Sequence, residues 1–322
     1  KHYVRTSLNL TFTNMVKAMS DKAYTSTVKA AKAAIQQNSL SKEVISGNGK
    51  AKSKEYFLGV DLGSAYTKFS VIDEKEHIAF QTALKTLNRD RISVRHVIEA
   101  LKKEYEISAT CATGYGRKHF PNADVVKTEL NCAALAASKY YSGIKNIIDI
   151  GGEDIKVIKC NQENSIENFY LNDKCAAGTG SFITEVAERA EINIPDMSDL
   201  ASKSSFGKEL NSFCTVFAKT EIMGWLFEGL PVEDIAKGIY LSILNRVVKL
   251  RIDPLARVYL IGGVIAHHPY LKNLLQEKHK KEVLIIDRPQ YTVSFGAALF
   301  AKEAFEKGIS KETGAMNTSA KE

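Results

Sequence analysis

Val60-Asp61-Leu62-Gly63-Ser64-Ala65-Tyr66-Thr67-Lys68 carries an apolar run into a carboxylate, turns on a glycine, and leaves with hydroxyls and an amine. Further along, Ile148-Asp149-Ile150-Gly151-Gly152-Glu153-Asp154 repeats the plan. The first turn lies between β-rich runs at Tyr56 to Val60 and Tyr66 to Ile72, the second between Ile147 to Ile150 and Ile155 to Cys160. Two strand–turn–strand units of one design predict a duplicated α/β domain whose halves face each other across a cleft. Helical patterns occupy Arg91 to Glu104, Thr128 to Tyr141, Gly180 to Ala190, Cys214 to Phe227 and Val232 to Leu250. A last block predicts a strand at Arg257 to Ile261, a helix near Pro269 to Lys278, a strand at Val283 to Ile286 and a closing helix from Thr292 to Phe305.

The 322 residues are 44% hydrophobic and 25% charged, with 6 Pro and 20 Gly, which excludes collagen-like, mucin-like and fully disordered chains. No uncharged apolar run approaches the roughly 18 residues that cross a bilayer, so a soluble protein without membrane contact is expected. The formal charge of +7 is confined to one end. Residues 1–54 hold ten Lys/Arg against two acids, leaving 34 basic and 35 acidic residues in the remainder. The body therefore lacks the basic stripe that tracks nucleic acid, and no nucleic-acid partner is expected. Within the leader, Thr25 to Gln37 reads as an amphipathic helix and Ser39 to Lys54 as a linker around Gly47-Asn48-Gly49. The leader is read as a tail or the remnant of a preceding segment, with a transit peptide as the alternative. Five widely spaced cysteines with no CxxC pair suggest reduced thiols in a cytoplasmic setting and no locally encoded metal site.

Backbone N–H groups in an Asp-Xaa-Gly turn form an anion-binding concavity, and the adjoining carboxylate can hold Mg²⁺ through water. One such turn is as readily a plain hairpin. Two from opposed halves can close on a polyphosphate, and a third turn, Leu260-Ile261-Gly262-Gly263-Val264, can admit a base or ribose against bare backbone. ATP is thus the leading ligand. Neither a GxxxxGK[ST] string nor the protein-kinase set is present.

Taken in order, the three loops resemble the phosphate-1, phosphate-2 and adenosine motifs of the actin/Hsp70/sugar-kinase superfamily. Four strings narrow the match: Ala112-Thr113-Gly114-Tyr115-Gly116-Arg117, Asp149-Ile150-Gly151-Gly152, Asn172-Asp173-Lys174-Cys175-Ala176-Ala177-Gly178-Thr179-Gly180, and Cys214-Thr215-Val216-Phe217-Ala218. From about Tyr56 to Phe305 the chain resembles the activators of 2-hydroxyacyl-CoA dehydratases, in the BadF/BadG/BcrA/BcrD ATPase family. The resemblance implies two actin-like (ribonuclease H-like) ATPase halves at 55–143 and 144–308, with a leader at 1–54 and a polar tail at 309–322. It implies Mg²⁺ at Asp61 and Asp149, and ATP or ADP held by Gly63, Ser64, Thr67, Lys68, Gly151, Gly152, Lys156, Gly178, Gly180, Gly262, Gly263 and Val264.

It further implies an oxygen-sensitive homodimer with one 4Fe-4S cluster between subunits. The matching ligands are Cys132, in Thr128-Glu129-Leu130-Asn131-Cys132, and Cys175, each expected just ahead of a helix. A ferredoxin or flavodoxin would supply the electron, and a dehydratase or reductase component would receive it. Cys111, Cys160 and Cys214 are expected to be small buried hydrophobes. His267 and His268 are expected to be solvated or beside the nucleotide, and Trp225 in the core or a dimer contact. Three positions depart from the pattern: Glu153 stands where Gln is common and is a candidate to orient the attacking water, Ser181 replaces a usual Arg, and Ile265-Ala266-His267 lacks an amide. Two other readings compete: a cluster-free kinase acting on a sugar or similar alcohol, and a nucleotide-dependent interaction module without turnover.

Overall fold

The computed structural model describes residues 54–86, 91–121, 123–172, 179–211, 214–250 and 252–309. The expected helix at Thr25 to Gln37, the leader's linker, Cys175 and Gly178 lie outside them. So does the tail beyond residue 309. Among the described residues, no helix is long and apolar enough to cross a membrane.

Strands β1 (Tyr56–Leu62), β2 (Tyr66–Asp73), β3 (Ile78–Lys85), β4 (Ile107–Thr113) and β5 (Val125–Val126) form one sheet in the order β3-β2-β1-β4-β5. Strands β6 (Lys145–Ile150), β7 (Ile155–Cys160), β8 (Ile166–Asn172), β9 (Arg257–Ile261) and β10 (Val283–Ile285) form a second, in the order β8-β7-β6-β9-β10. The pairing directions also repeat: the first three strands of each set are antiparallel neighbours, while the fourth and fifth add on in parallel. The duplication read from two glycine turns therefore extends over all five strands of each sheet. The sequence reading gave no range for β3, β4, β5 or β8; β8 is an edge strand whose residues are all exposed or half-buried, so no alternating pattern marks it.

Helix α1 (Arg91–Glu104) covers the first sheet, while α2 (Glu129–Tyr140) links the two. The second half carries α3 (Gly180–Arg189), α4 (Met197–Lys203), α5 (Thr215–Phe227), α6 (Val232–Lys249), α7 (Gly263–His267) and α8 (Tyr270–His279), and α9 (Thr292–Glu306) closes the described chain. Thr128 caps α2, its hydroxyl accepting from the Asn131 N–H at 3.2 Å, and Glu129 places a carboxylate where the helix dipole favours it.

One hydrophobic core fills the first half and a larger one the second. A third joins them: Phe57, Cys111, Ile147, Tyr259 and Ile261 from both sheets meet Cys132 and Ala133 of α2 and Phe295 and Ala298 of α9. Helix α9 follows the last strand of the second sheet, yet lies on the first. A Cβ at Gly59 of β1 would stand 2.0 Å from the Ser294 carbonyl oxygen, and one at Gly296 would stand 1.9 Å from that of Cys132. Glycine at these two positions lets α9 touch strand β1 on one side and helix α2 on the other.

Candidate functional site

Hairpin register builds the site. In β1–β2, Asp61 lies directly across from Lys68, whose ammonium donates to Asp61 Oδ2 at 3.1 Å. In β6–β7, Asp149 lies across from Lys156 in the same way, with Nζ and Oδ2 at 3.9 Å. Each half thus presents a carboxylate–ammonium pair at the end of its central strand, where ligands of open α/β sheets bind. The signal was available in sequence as a repeated Asp-Xaa-Gly-Xaa4-Lys spacing, 61 to 68 and 149 to 156.

The glycines bring the motifs together. A Cβ on Gly152 would touch Ala65 at 3.0 Å, so the two loops meet across the halves. Gly262, at φ +102°, packs under the second loop, where a Cβ would lie 2.4 Å from the Ile150 oxygen and 2.5 Å from Asp149 Oδ1. Gly180 adjoins both Gly152 and Val264, and the Gly180 and Ser181 N–H groups donate to the Gly151 and Gly152 carbonyls at 3.0 and 2.8 Å. The start of α3 therefore secures the second loop. Gly114, at φ +90°, packs against the backbone of Leu62 beneath the first loop.

The charges are concentrated. Asp61 and Asp149 are 4% and 6% exposed. Lys156 Nζ lies 2.7 Å from Asp154 and 2.7 Å from Glu129 at the start of α2. In this network four carboxylates (Asp61, Glu129, Asp149, Asp154) share two ammonium groups, a surplus of two negative charges. Burial raises Asp149 to about 6, assisted by Asp154 and Glu129 and opposed by Lys156. Burial disfavours the Lys156 charge, but Asp149, Glu129 and Asp154 hold its ammonium above the ordinary range. Lys68 is likewise held up by Asp61 against its own burial.

The other expected site residues divide. Ser64 and Glu153 are exposed on their loops. Thr67 is buried and its hydroxyl pairs with Thr86 at 3.0 Å, while Thr86 also donates to the Gly63 carbonyl, so this pair pins the first loop. Gly63 and Gly151 stand at the turns, while Gly263 opens α7. Cys132 does not precede a helix: it sits one turn inside α2 with no exposed surface. Its thiol faces Cys111 and Thr113, and burial, then Cys111, push its pKa well above the ordinary range. Cys111 and Cys160 are buried as expected, but Cys214 is exposed at the start of α5. Trp225 lies in the second core, edge-on to Phe206 with ring centroids 5.5 Å apart. Glu129, Asp154 and Thr86 were not foreseen as site residues.

The profile of the BadF/BadG/BcrA/BcrD ATPase family matches residues 58–301. This chain belongs to that family. Within it, the chain is 34% identical over 258 residues to the activator of lactoyl-CoA dehydratase of Anaerotignum propionicum, covering 78% of this chain and 99% of the relative. It is also 34% identical over 253 residues to the (R)-2-hydroxyglutaryl-CoA dehydratase activating ATPase of Acidaminococcus fermentans, covering 76% and 96%. The solved structure of the activator of the 2-hydroxyisocaproyl-CoA dehydratase from Clostridium difficile, with bound ADPNP, aligns at a TM-score of 0.72 and 31% identity. That alignment covers 79% of this chain and 96% of the other. The architecture is the duplicated actin-like α/β ATPase fold expected from the two loops, and the motif strings that pointed to the family fall within the matched span.

The paired histidines of this family member separate. His267 is exposed, whereas His268 is buried, its Nδ1 2.6 Å from the Tyr240 hydroxyl, which in turn reaches Ser198 at 3.2 Å. His268 was expected to be solvated or beside the nucleotide; it is neither solvated nor paired with a site residue, but bonded to Tyr240. Burial, then His267, lowers His268 from 6.5 to about 4, keeping the ring neutral beside the Tyr240 hydroxyl. Between pH 6.5 and 4 the unfolded chain takes up a proton that the folded chain refuses, so stability falls as pH falls through that window. The gap corresponds to at most about 3 kcal/mol. Urea unfolding at pH 7 and pH 4.5 should show a smaller loss in His268→Gln, whose amide can hydrogen-bond Tyr240 in either direction, than in the parent. Equal losses would remove His268 from the acid response.

Proposed function

We propose that this chain is an ATP-hydrolysing activator that drives a low-potential electron into a 2-hydroxyacyl-CoA dehydratase-like or reductase component. The observation that carries the nucleotide part is the meeting of the two Asp-Xaa-Gly loops and the Gly262 turn around matched Asp–Lys pairs, within a chain of an ATPase family. The two surplus negative charges of this network fit a divalent cation held through water by two carboxylates, Asp61 and Asp149, and not by a cage of three or more, which no described residues form. Bound there, Mg²⁺ neutralises charge gathering on the phosphoryl oxygens. Lys68 and Lys156, with Ser64 and the amide of Gly152, hold the phosphates; the Gly151 N–H, also expected there, is donated to the Asp154 carbonyl at 2.9 Å and instead shapes the loop. The turn at Gly262, Gly263 and Val264 takes the adenosine. Glu153 orients the water that attacks the γ-phosphorus; as the bond to ADP breaks, the water proton passes to this carboxylate or to solvent.

The iron part of the proposal rests on the strings at 128–132 and 172–180. It comprises a homodimer in which Cys132 and Cys175 of each copy hold one 4Fe-4S cluster, reduced by a ferredoxin or flavodoxin. Cys132 as it stands does not fit a shared ligand: its sulfur is inside its own chain and held protonated. Among the described residues, no group of three or more His, Cys, Asp or Glu side chains is placed to hold a metal. Ligation therefore requires the sulfur to leave the Cys111–Thr113 pocket. The test has two arms on the full chain, prepared without oxygen. Mg-ATP should be hydrolysed, and failure to bind it overturns the nucleotide reading. Reconstituted protein should hold about four irons per pair of chains, as a four-cysteine shell requires. Undiminished iron in both Cys132→Ala and Cys175→Ala would overturn the cluster.

A further inference from the structure

We propose that the Glu129–Lys156 ion pair is the latch through which nucleotide in the cleft moves helix α2. Lys156 holds Glu129 while the γ-phosphate position is empty, and releases it when a phosphate takes the ammonium. The inference rests on the nucleotide reading above and concerns how occupancy is communicated.

Three observations support it. First, Lys156 has three carboxylate neighbours, but Asp149 and Asp154 belong to its own hairpin. Glu129 alone is on another element, so it is the partner that can be given up without breaking the loop. Second, the Lys156 side chain is only 9% exposed, so its ammonium exchanges carboxylate for phosphate and not for bulk water. Glu129, at 21%, has solvent to turn into, and the dipole at the start of α2 keeps its charge favourable there. Third, α2 is not a surface helix. It belongs to the core shared by both sheets, and its Cys132 backbone lies directly against Gly296 of α9. The buried face of α2 is Cys132, Ala133, Ala134, Ala136 and Ala137, small side chains that interlock little, so the helix can shift on its neighbours. Glu129 is therefore a positioning residue. It acts on α2, and through α2 on Cys132 one turn away.

Glu129→Gln keeps the shape of the side chain and removes the charge that competes for Lys156. Calorimetric titration should show Mg-AMPPNP binding about fivefold tighter in this variant. The decisive measurement is amide hydrogen exchange at Cys132 to Leu135, with and without Mg-AMPPNP, on cluster-free full-length protein. In the parent, the nucleotide should speed exchange about tenfold. In Glu129→Gln, exchange should be fast in both conditions. A residue that merely capped the helix would raise exchange on mutation and leave the nucleotide response intact, and that result would overturn the latch. A parent that binds Mg-AMPPNP with no change in α2 would also overturn it. A parent that binds no nucleotide would instead overturn the ATPase reading on which the latch depends.

Discussion

Asp149→Asn is expected to lower Mg-ATP hydrolysis at least about a hundredfold while making the fold more stable. The two effects have one origin. Asp149 is 6% exposed, faces Asp154 and Glu129, and has its nearest ammonium at 3.9 Å, so its charge is held in place at a cost. A carboxyl raised from 3.8 to about 6 destabilises the folded state increasingly as pH rises through that window, and the full effect is present at pH 7. Asparagine has the same outline, so the contact with Gly262 is retained, and it removes a penalty of up to about 3 kcal/mol. It also removes one of the two surplus negative charges on which the proposed Mg²⁺ site rests. Phosphate release at saturating Mg-ATP and thermal unfolding at pH 7 check the pair of outcomes. Turnover at the parent rate would place hydrolysis elsewhere, and a clear fall in melting temperature would mean that Asp149 is held by interactions other than these.

The second large effect falls on the fold. A Cβ introduced by Gly59→Ala would stand 2.0 Å from the Ser294 oxygen and 2.3 Å from the Ala298 nitrogen, both backbone atoms of α9. Neither can rotate away, so the whole helix must withdraw from β1. Withdrawal also breaks the buried hydrogen bond between Ser70 and Ser294, 2.8 Å long. Overpacking together with a lost buried pair suggests a destabilisation of about 3 to 4 kcal/mol, or a melting temperature lower by about 10 °C in a chain of this size. Gly207→Ala, whose Cβ would meet nothing within 4 Å, is the matched control. A Gly59→Ala protein that melts with the control would mean that α9 is not seated on β1.

What the sequence disclosed follows from the range over which its signals act. Periodicity and Asp-Xaa-Gly spacing are local, and they located the central hairpins of both halves within two residues and helices such as Arg91–Glu104 and Val232–Lys249 within one. β8 escaped because an edge strand need not alternate, and α4 because its seven residues are too few to show a period. The repeated Asp–Lys spacing was in plain view, but its meaning depends on hairpin register, which sets Asp61 against Lys68 and Asp149 against Lys156. Glu129 and Lys156 are 27 positions apart on a helix and a strand, and nothing local joins them. The direction of Cys132 was equally hidden: its position in α2 was near what its string implied, but which side of the helix it faces is decided by β4 and α9. The buried His268 is a similar case, since Tyr240 reaches it from a helix 28 positions away.

The return of α9 to the first sheet has a consequence during synthesis. Strand β1 is among the earliest described segments to leave the ribosome, and the helix that covers it, Thr292–Glu306, is the last described element to appear. Until then Phe57, on the face toward α9, lacks partners such as Ala298 and Leu299. At about 5 to 20 residues per second, the roughly 230 residues in between leave that surface open for about 10 to 50 seconds. The second half, whose own core closes at β10, can be complete while the first is still unfinished. The half that begins first is thus the one that finishes last, and a holding chaperone would find its binding surface on β1.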